Sequence, residues 1–243
     1  MKKLVSFCIV CVSLVGLAGC FSSRNPTSPD GAALVVQPTR GVCIGNSTVA
    51  NYRGGAAVAS LLFTREELAQ GYSCQSLAVP GHTIDQQLER WQSLPQKDRL
   101  DWIIVEIGLN DLDPGDPLEA TLQRYQRLID TINRSKPAKA KLIIATMTPL
   151  RERLKDIYRG KGNASYKKWV AMNDAIMGKG KIPITGVDFR FNEHTLLLAD
   201  KKGNLKPEYE IAEKDHVHQN TAARLIVAST WRVALAKMGM LTP

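Results

Sequence analysis

Cysteine is scarce in the body of this 243-residue chain. Of its five cysteines, Cys8, Cys11 and Cys20 fall near the start, which leaves Cys43 and Cys74. No Cys/His spacing matches a zinc site, so a zinc centre is excluded and no metal or cofactor is expected. In an oxidising compartment Cys43 and Cys74 can pair, and as two buried thiols they can equally stay free. The formal charge is +9, but no basic block is interleaved with aromatics. The excess is spread over Lys136–Lys141, Arg151–Lys168 and Lys201–Lys206, a solvated surface rather than a nucleic-acid site. The chain has no internal repeat, which excludes a repeat array. Its one long apolar run, Leu4–Leu17, is too short for a stable membrane span.

That run has a different meaning. Lys2 and Lys3 make a positive start, the apolar stretch follows, and Leu17-Ala18-Gly19-Cys20 closes it. A charged start, a short apolar core and small residues at the end describe a secretory leader. The closing four residues resemble the lipobox of bacterial lipoproteins, which implies cleavage before Cys20 and lipid on its sulfur. Several acyl chains on one residue would anchor the protein to a membrane stably, where one is marginal. Phe21, where an Asp would hold the protein at the inner membrane, resembles an outer-membrane-sorted lipoprotein of a Gram-negative cell, facing the periplasm. The composition of the next stretch, with Ser22, Ser23, Pro26, Ser28, Pro29 and Gly31, predicts an extended tether. The expected organisation is thus a leader over 1–19, lipidated Cys20 and tether over 20–37, and one domain over 38–243. Loss of Lys2 and Lys3 takes the charge from +9 to +7, suited to an anionic envelope.

Within the domain, apolar strand signals alternate with helical ones. Val42–Ile44 is a short apolar run that stops on Gly45, followed by Asn46 and Ser47. Val49–Gln70 reads as largely helical with a weak point at Gly54-Gly55, and Tyr72–Val79 as a strand. Thr83–Ser93 is an amphipathic helix with Ile84, Leu88 and Trp91 on one face. Asp101–Gly108 is the strongest strand signal, nearly continuous in apolar residues and so covered on both faces. A long helix carries Leu118, Leu122, Tyr125, Ile129 and Ile132 inward. A strand over Lys141–Met147, a helix over Ser165–Met177, a short strand over Ile184–Phe189 and a terminal helix over Gln219–Met238 complete the series. This alternation predicts an α/β parallel sheet with helices on both faces. Such sheets bind ligands outside the carboxyl ends of their strands.

Several strand ends carry groups suited to acyl transfer. Ser47 can serve as nucleophile, given a base and an oxyanion site. Gly81 offers a backbone N–H with no side chain in the way, and Asn110 a side-chain amide. With the Ser47 N–H these make three donors for one oxyanion. Asp215 and His218, three apart before the last helix, can place a carboxylate behind an imidazole. His216 is adjacent to Asp215 and diverges from it. His82 either lines the pocket or lies on the surface, and His194 has no evident partner. Asp111 reads as a loop brace, Thr146 and Thr148 as turn or site-shaping residues, and Glu106, if buried in its strand, requires a partner.

Ser47 in Gly45-Asn46-Ser47, Gly81, Gly108-Leu109-Asn110-Asp111 and Asp215-His216-Val217-His218 together resemble the four blocks of the SGNH (GDSL-like) hydrolases, in order. The resemblance spans most of the domain. It implies a flavodoxin-like three-layer α/β/α fold and a metal-independent serine esterase. By position Ser47 is the nucleophile, His218 the base and Asp215 its orienter, with Ser47, Gly81 and Asn110 forming the oxyanion hole. One residue departs from the family: Asn46 stands where an Asp usually precedes the serine, which keeps size and a hydrogen-bonding oxygen but removes a charge. No long apolar lid is evident, so short acyl or acetyl esters of glycans are the expected substrates. Lysophospholipase, lipase or O-acyltransferase activity on the same fold, and an inactive binding or scaffold lipoprotein, are the alternatives. Nothing in the sequence marks an oligomeric state.

Overall fold

A computed structural model describes residues 37–113, 115–150, 162–212, 215 and 217–241. Five strands make one sheet: β1 Arg40–Gly45, β2 Ser73–Ser76, β3 Trp102–Glu106, β4 Lys141–Ala145 and β5 Phe189–Phe191. All four pairings are parallel, in the order β2-β1-β3-β4-β5. This is the flavodoxin-like order, with its switch point between β1 and β3. Among the described residues the helices are α1 Arg65–Ala69, α2 Ile84–Gln92, α3 Leu118–Ser135, α4 Gly162–Ile176, α5 Glu193–Leu198 and α6 Thr221–Lys237.

The period-2 geometry of the strands divides their apolar residues between two layers. Val42, Ile44, Ile103, Val105, Leu142 and Ile144 face a core completed by Trp91, Tyr125, Ile129, Trp169 and Met172 of α2, α3 and α4. Cys43, Trp102, Ile104, Ile143 and Ala145 face the other core, where α6 contributes Val227, Trp231 and Leu235. Every residue of β3 is buried, as its continuous apolar run requires. The predicted helices over 83–93, 118–132 and 165–177 are all present; of their expected inward residues Ile84, Trp91, Leu122, Tyr125, Ile129, Ile132, Trp169, Met172 and Ile176 are buried, while Leu88 and Leu118 are half-buried against the same core.

Two stretches correct the sequence reading. The helix expected over Val49–Gln70 is not formed as one element. Arg53 at φ 49° and Gly54 at φ 85° reverse the chain, and Tyr52 bridges antiparallel to Gly55. A single 3-10 turn follows at Val58–Leu61. A new helix, α1, starts only at Thr64, whose hydroxyl accepts from the Glu67 N–H while the Glu67 carboxylate accepts from the Thr64 N–H. The strand expected over Ile184–Phe189 lies later, at Phe189–Phe191. Gly186 at φ 74° breaks the earlier part, and Asn133 donates to its carbonyl at 2.6 Å. The six-residue α5 was not foreseen, being too short to show a helical period. Residues 1–36, with the leader, Cys20 and most of the tether, lie outside the described residues, as does His216. Cys43 and Cys74 are free thiols with their sulfurs 2.9 Å apart on neighbouring strands, and burial pushes the Cys43 thiol up.

Gly41 lies beside Trp102 in the β1–β3 register, and a Cβ there would fall inside the indole ring. That indole is fully buried and donates to Thr39 at 3.2 Å, which in turn donates to the Met240 carbonyl at 3.0 Å. Gly41→Ala therefore forces out a ring that ties the start of β1 to the end of the chain. Such overpacking should cost about 1–3 kcal/mol, read by urea unfolding. An unchanged midpoint would show that the ring moves freely.

Candidate active site

β1 ends where it does because its next residues must turn sharply. A Cβ on Gly45 would come within 2.7 Å of the Val49 side chain and 3.0 Å of the Glu106 carbonyl. The Asn46 carbonyl accepts from Val49 at 3.1 Å and Ala50 at 2.9 Å, and its side-chain oxygen accepts from the Thr48 N–H at 3.1 Å and the Thr48 hydroxyl at 2.9 Å. This Asx-type turn presents Ser47 at the carboxyl end of β1. Asn46 thus keeps the acceptor role of the usual acid without its charge.

The chain brings Ser47, His218 and Asp215 together across 171 residues of sequence. Ser47 Oγ lies 2.9 Å from His218 Nε2, and His218 Nδ1 lies 2.7 Å from Asp215 Oδ1. With Nδ1–H donating to the carboxylate, Nε2 is left to accept the serine hydroxyl. Asp215 Oδ1 also accepts the His218 backbone N–H at 2.8 Å, so carboxylate and imidazole are fixed by the same turn. Its other oxygen accepts from Arg53 at 2.8 Å. Tyr52 lies against the imidazole, ring centroids 4.4 Å apart. The loop is anchored by Ile211, whose N–H donates to the His218 carbonyl at 2.9 Å, and by Asn220, which caps α6 through the Ala223 N–H at 3.0 Å.

Burial holds the His218 pKa below the ordinary 6.5; Arg53 and Arg224 push the same way, against Asp215. For Asp215 burial favours the neutral form, but hydrogen bonds from His218 outweigh it and keep the carboxyl below its ordinary value. The imidazole is therefore neutral and the carboxylate charged at neutral pH, the state a general base needs.

The two other predicted donors sit on the loops that follow β2 and β3, at the same carboxyl edge of the sheet as Ser47. The Val79 N–H donates to the Gly45 carbonyl at 3.3 Å, which sets the 79–82 loop against the end of β1. Gly81 is exposed at φ 80° with open space around it. Asn110 sits on the turn Leu109–Asp111 after β3, and its amide donates to the His82 carbonyl at 2.8 Å. Among the described residues the backbone N–H groups of Ser47 and Gly81 have no partner, so both remain available to a ligand. Asp111 braces this turn as expected: it accepts from the Ile84 N–H at 3.1 Å, while Lys168 donates to its carbonyl at 2.6 Å. His82 contacts Gln87 at 3.4 Å and is half-buried at the rim.

Beneath the turn lies a buried polar group. Glu106 is fully enclosed, lies 3.3 Å from the Thr48 hydroxyl and has its pKa raised to about 8 by burial. His194, also fully buried, has its pKa lowered to about 4 by burial and donates Nε2–H to the Thr146 carbonyl at 2.8 Å. Their 3.6 Å approach is thus a neutral acid beside a neutral imidazole rather than an ion pair. Thr148 accepts from Gln219 at 2.6 Å and so braces the histidine loop. Tyr52, Arg53 and Arg224 were not singled out from the sequence. An arginine inside the apolar helix run Thr221–Trp231 was the available signal for Arg224.

The chain belongs to the GDSL-like lipase/acylhydrolase family, whose sequence model matches residues 43–222. The fold is shared with solved structures. A GDSL-like lipase from Bacteroides thetaiotaomicron is 20% identical with a TM-score of 0.57, covering 84% of this chain and 93% of its own. The esterase EstA from Pseudoalteromonas is 15% identical with a TM-score of 0.52, covering 82% and 98%. The acetylxylan esterase Axe2 from Geobacillus stearothermophilus is 16% identical with a TM-score of 0.51, covering 85% and 97%. No curated protein matches the chain. Family and fold make this protein a hydrolase of the acylhydrolase type.

The raised Glu106 pKa has a stability consequence. Between pH 4.5 and about 8 the folded chain keeps a proton on Glu106 that the unfolded chain loses, so this group's contribution falls as pH rises. Glu106→Gln is neutral throughout and near in shape. Its stability relative to the parent should improve steadily from pH 5 to pH 8 in urea titrations. A difference that does not change with pH would show that Glu106 is ionised in the folded state.

Proposed function

We propose that this protein is a serine esterase that works through an acyl-enzyme on Ser47. The observation that carries the reading is the continuous relay from Ser47 Oγ through His218 to Asp215, with links of 2.9 and 2.7 Å. In acylation the Ser47 oxygen attacks the ester carbonyl while His218 Nε2 takes its proton. The tetrahedral oxyanion is met by the Ser47 and Gly81 N–H groups and the Asn110 amide. Collapse breaks the bond to the alcohol, which leaves with the proton returned by His218. Water, deprotonated by His218, then attacks the acyl carbonyl; the second tetrahedral adduct expels Ser47, which recovers its proton, and the acid is released. Asp215 keeps the imidazole in the required tautomer and stabilises its charged form.

Short acyl or acetyl esters of glycans are the substrates that fit best. The acetylxylan esterase Axe2 shares the fold, and the sequence has no long apolar lid segment. A panel of p-nitrophenyl esters tests mechanism and substrate together. The parent should prefer acetate or butyrate, and Ser47→Ala should lower kcat by about 10⁴-fold or more while leaving the thermal midpoint in place. Fluorophosphonate should label Ser47 in the parent alone. Unchanged turnover in Ser47→Ala would reject the mechanism. A maximum at long chains would replace glycan esters with lipid esters, and acyl transfer to an added sugar would mark a transferase. An unreactive parent would mark a scaffold.

We infer that this esterase is held at the cell envelope by lipid on Cys20, a reading supported by the charged and apolar start of the chain and by Leu17-Ala18-Gly19-Cys20. Cys20→Ser should move it from the membrane fraction to the soluble fraction. Retention in membranes would reject the anchor.

A further inference from the structure

Arg224 is fully buried, on the first turn of α6, one turn beyond His218. Its guanidinium is spent entirely on backbone carbonyls. One terminal nitrogen donates to the Ser47 carbonyl at 3.0 Å. The other reaches the carbonyls of Ala50, Gly55 at 3.0 Å and Ala56 at 2.9 Å. Nε donates to the Gln219 carbonyl at 3.1 Å, next in sequence to His218. Among the described residues it forms no ion pair; the one acidic side chain acting on it is Glu106.

A buried cation without a carboxylate is costly to keep, and a neutral donor could satisfy one or two of these carbonyls at less expense. What only a planar, five-donor fork can do is join three separate chain segments at fixed spacing. Those segments are the Ser47–Ala50 turn, the Gly55-Ala56 end of the Tyr52 hairpin, and the loop carrying His218. We propose that Arg224 is a positioning residue, whose guanidinium sets the separation between the Ser47 turn and the His218 loop and so the length of the hydrogen bond between them. It touches no reacting atom. This inference rests on the esterase reading and extends it.

Among the described residues the groups facing His218 are Ser47 from the end of β1, Tyr52 and Arg53 from the hairpin, Asp215 from its own loop, and Arg224 from α6. Of these, Arg53 and Arg224 repel a proton on the imidazole and Asp215 attracts it. Position and charge can therefore be tested separately. Arg224→Lys keeps the charge and loses the fork. Arg224→Gln loses both. Gly55→Ala changes neither, but its Cβ would lie 2.8 Å from the guanidinium carbon and 3.1 Å from the Gln219 carbonyl, so it pushes the fork and the carbonyl it holds out of place.

The measurements are kcat, KM and the pH profile of kcat/KM with p-nitrophenyl acetate, together with the fluorophosphonate labelling rate and the folded fraction of each variant. The expected result for Arg224→Lys and Gly55→Ala is a kcat and a labelling rate lowered by about 10–10²-fold with KM within twofold. Their acid limb should stay at the parent position, below pH 6.5. In Arg224→Gln the acid limb should move up as well. Full kcat in folded Arg224→Lys and Gly55→Ala overturns the proposal. So does a loss that merely follows the folded fraction, or an acid limb that moves in Arg224→Lys or Gly55→Ala as far as in Arg224→Gln, which would assign their loss to proton affinity rather than to position. If Arg224→Gln does not fold, the other two variants decide alone. Ser47→Ala serves as the control: if it retains turnover, the esterase reading has failed, whereas an inactive Ser47→Ala beside unaffected Arg224 and Gly55 variants sinks only the positioning role.

Discussion

The pairing of β1 with β3 is the constraint on which the site depends. Register places Gly45 opposite Glu106, so the turns that follow the two strands leave the sheet side by side. One turn carries Ser47 and the other Asn110. Because the chain moves from β1 outward to β2 and then back across to β3, the loop after β2 is drawn to the same rim, bringing Gly81. Nothing in this arrangement needs a long-range force beyond strand pairing and the burial of two apolar faces. The histidine is different. It comes from the far end of the chain, and only the docking of α6 on the second core brings it back.

Much of this was legible in the sequence because the governing signals are local. The continuous apolar run Trp102–Glu106, the helical period of α3 and the glycines after strands follow from periodicity and turn chemistry. The family blocks then named Ser47, Asn110, Asp215 and His218, and the fold brings Ser47, His218 and Asp215 into one hydrogen-bonded line. What could not be read is tertiary in origin. Apolar spacing in Val49–Gln70 fits a helix, yet Arg53 and Gly54 adopt left-handed backbone and the segment becomes a hairpin that lays Tyr52 on the imidazole. Arg224 had no helical neighbour that explained it; its partners lie up to 177 residues away. Glu106 needed a partner, and Thr48 supplies one, but only the β1–β3 register makes them neighbours.

The polar groups under the site follow one rule: each buried member is neutral or is held by several dipoles. Glu106 is kept protonated by burial, His194 is kept unprotonated by the same cause, and Arg224 retains its charge only by engaging five carbonyls. Asn46 fits this rule. An Asp there would add a second acid to the Thr48 hydroxyl that already serves Glu106. The substitution suits a chain that stores its acidic group one strand deeper.

Asp215 is nearly enclosed, yet the guanidinium that holds its outer oxygen is 58% exposed. Arg53 is therefore a conductor between the medium and the interior. Ions gathering around that cation weaken its pull on the carboxylate and its repulsion of the imidazolium. The proton affinity of a sheltered ring then responds to the ionic strength of the medium, with no motion of the backbone. Through Arg53 the surrounding electrolyte reaches a carboxylate that is itself shut away from it.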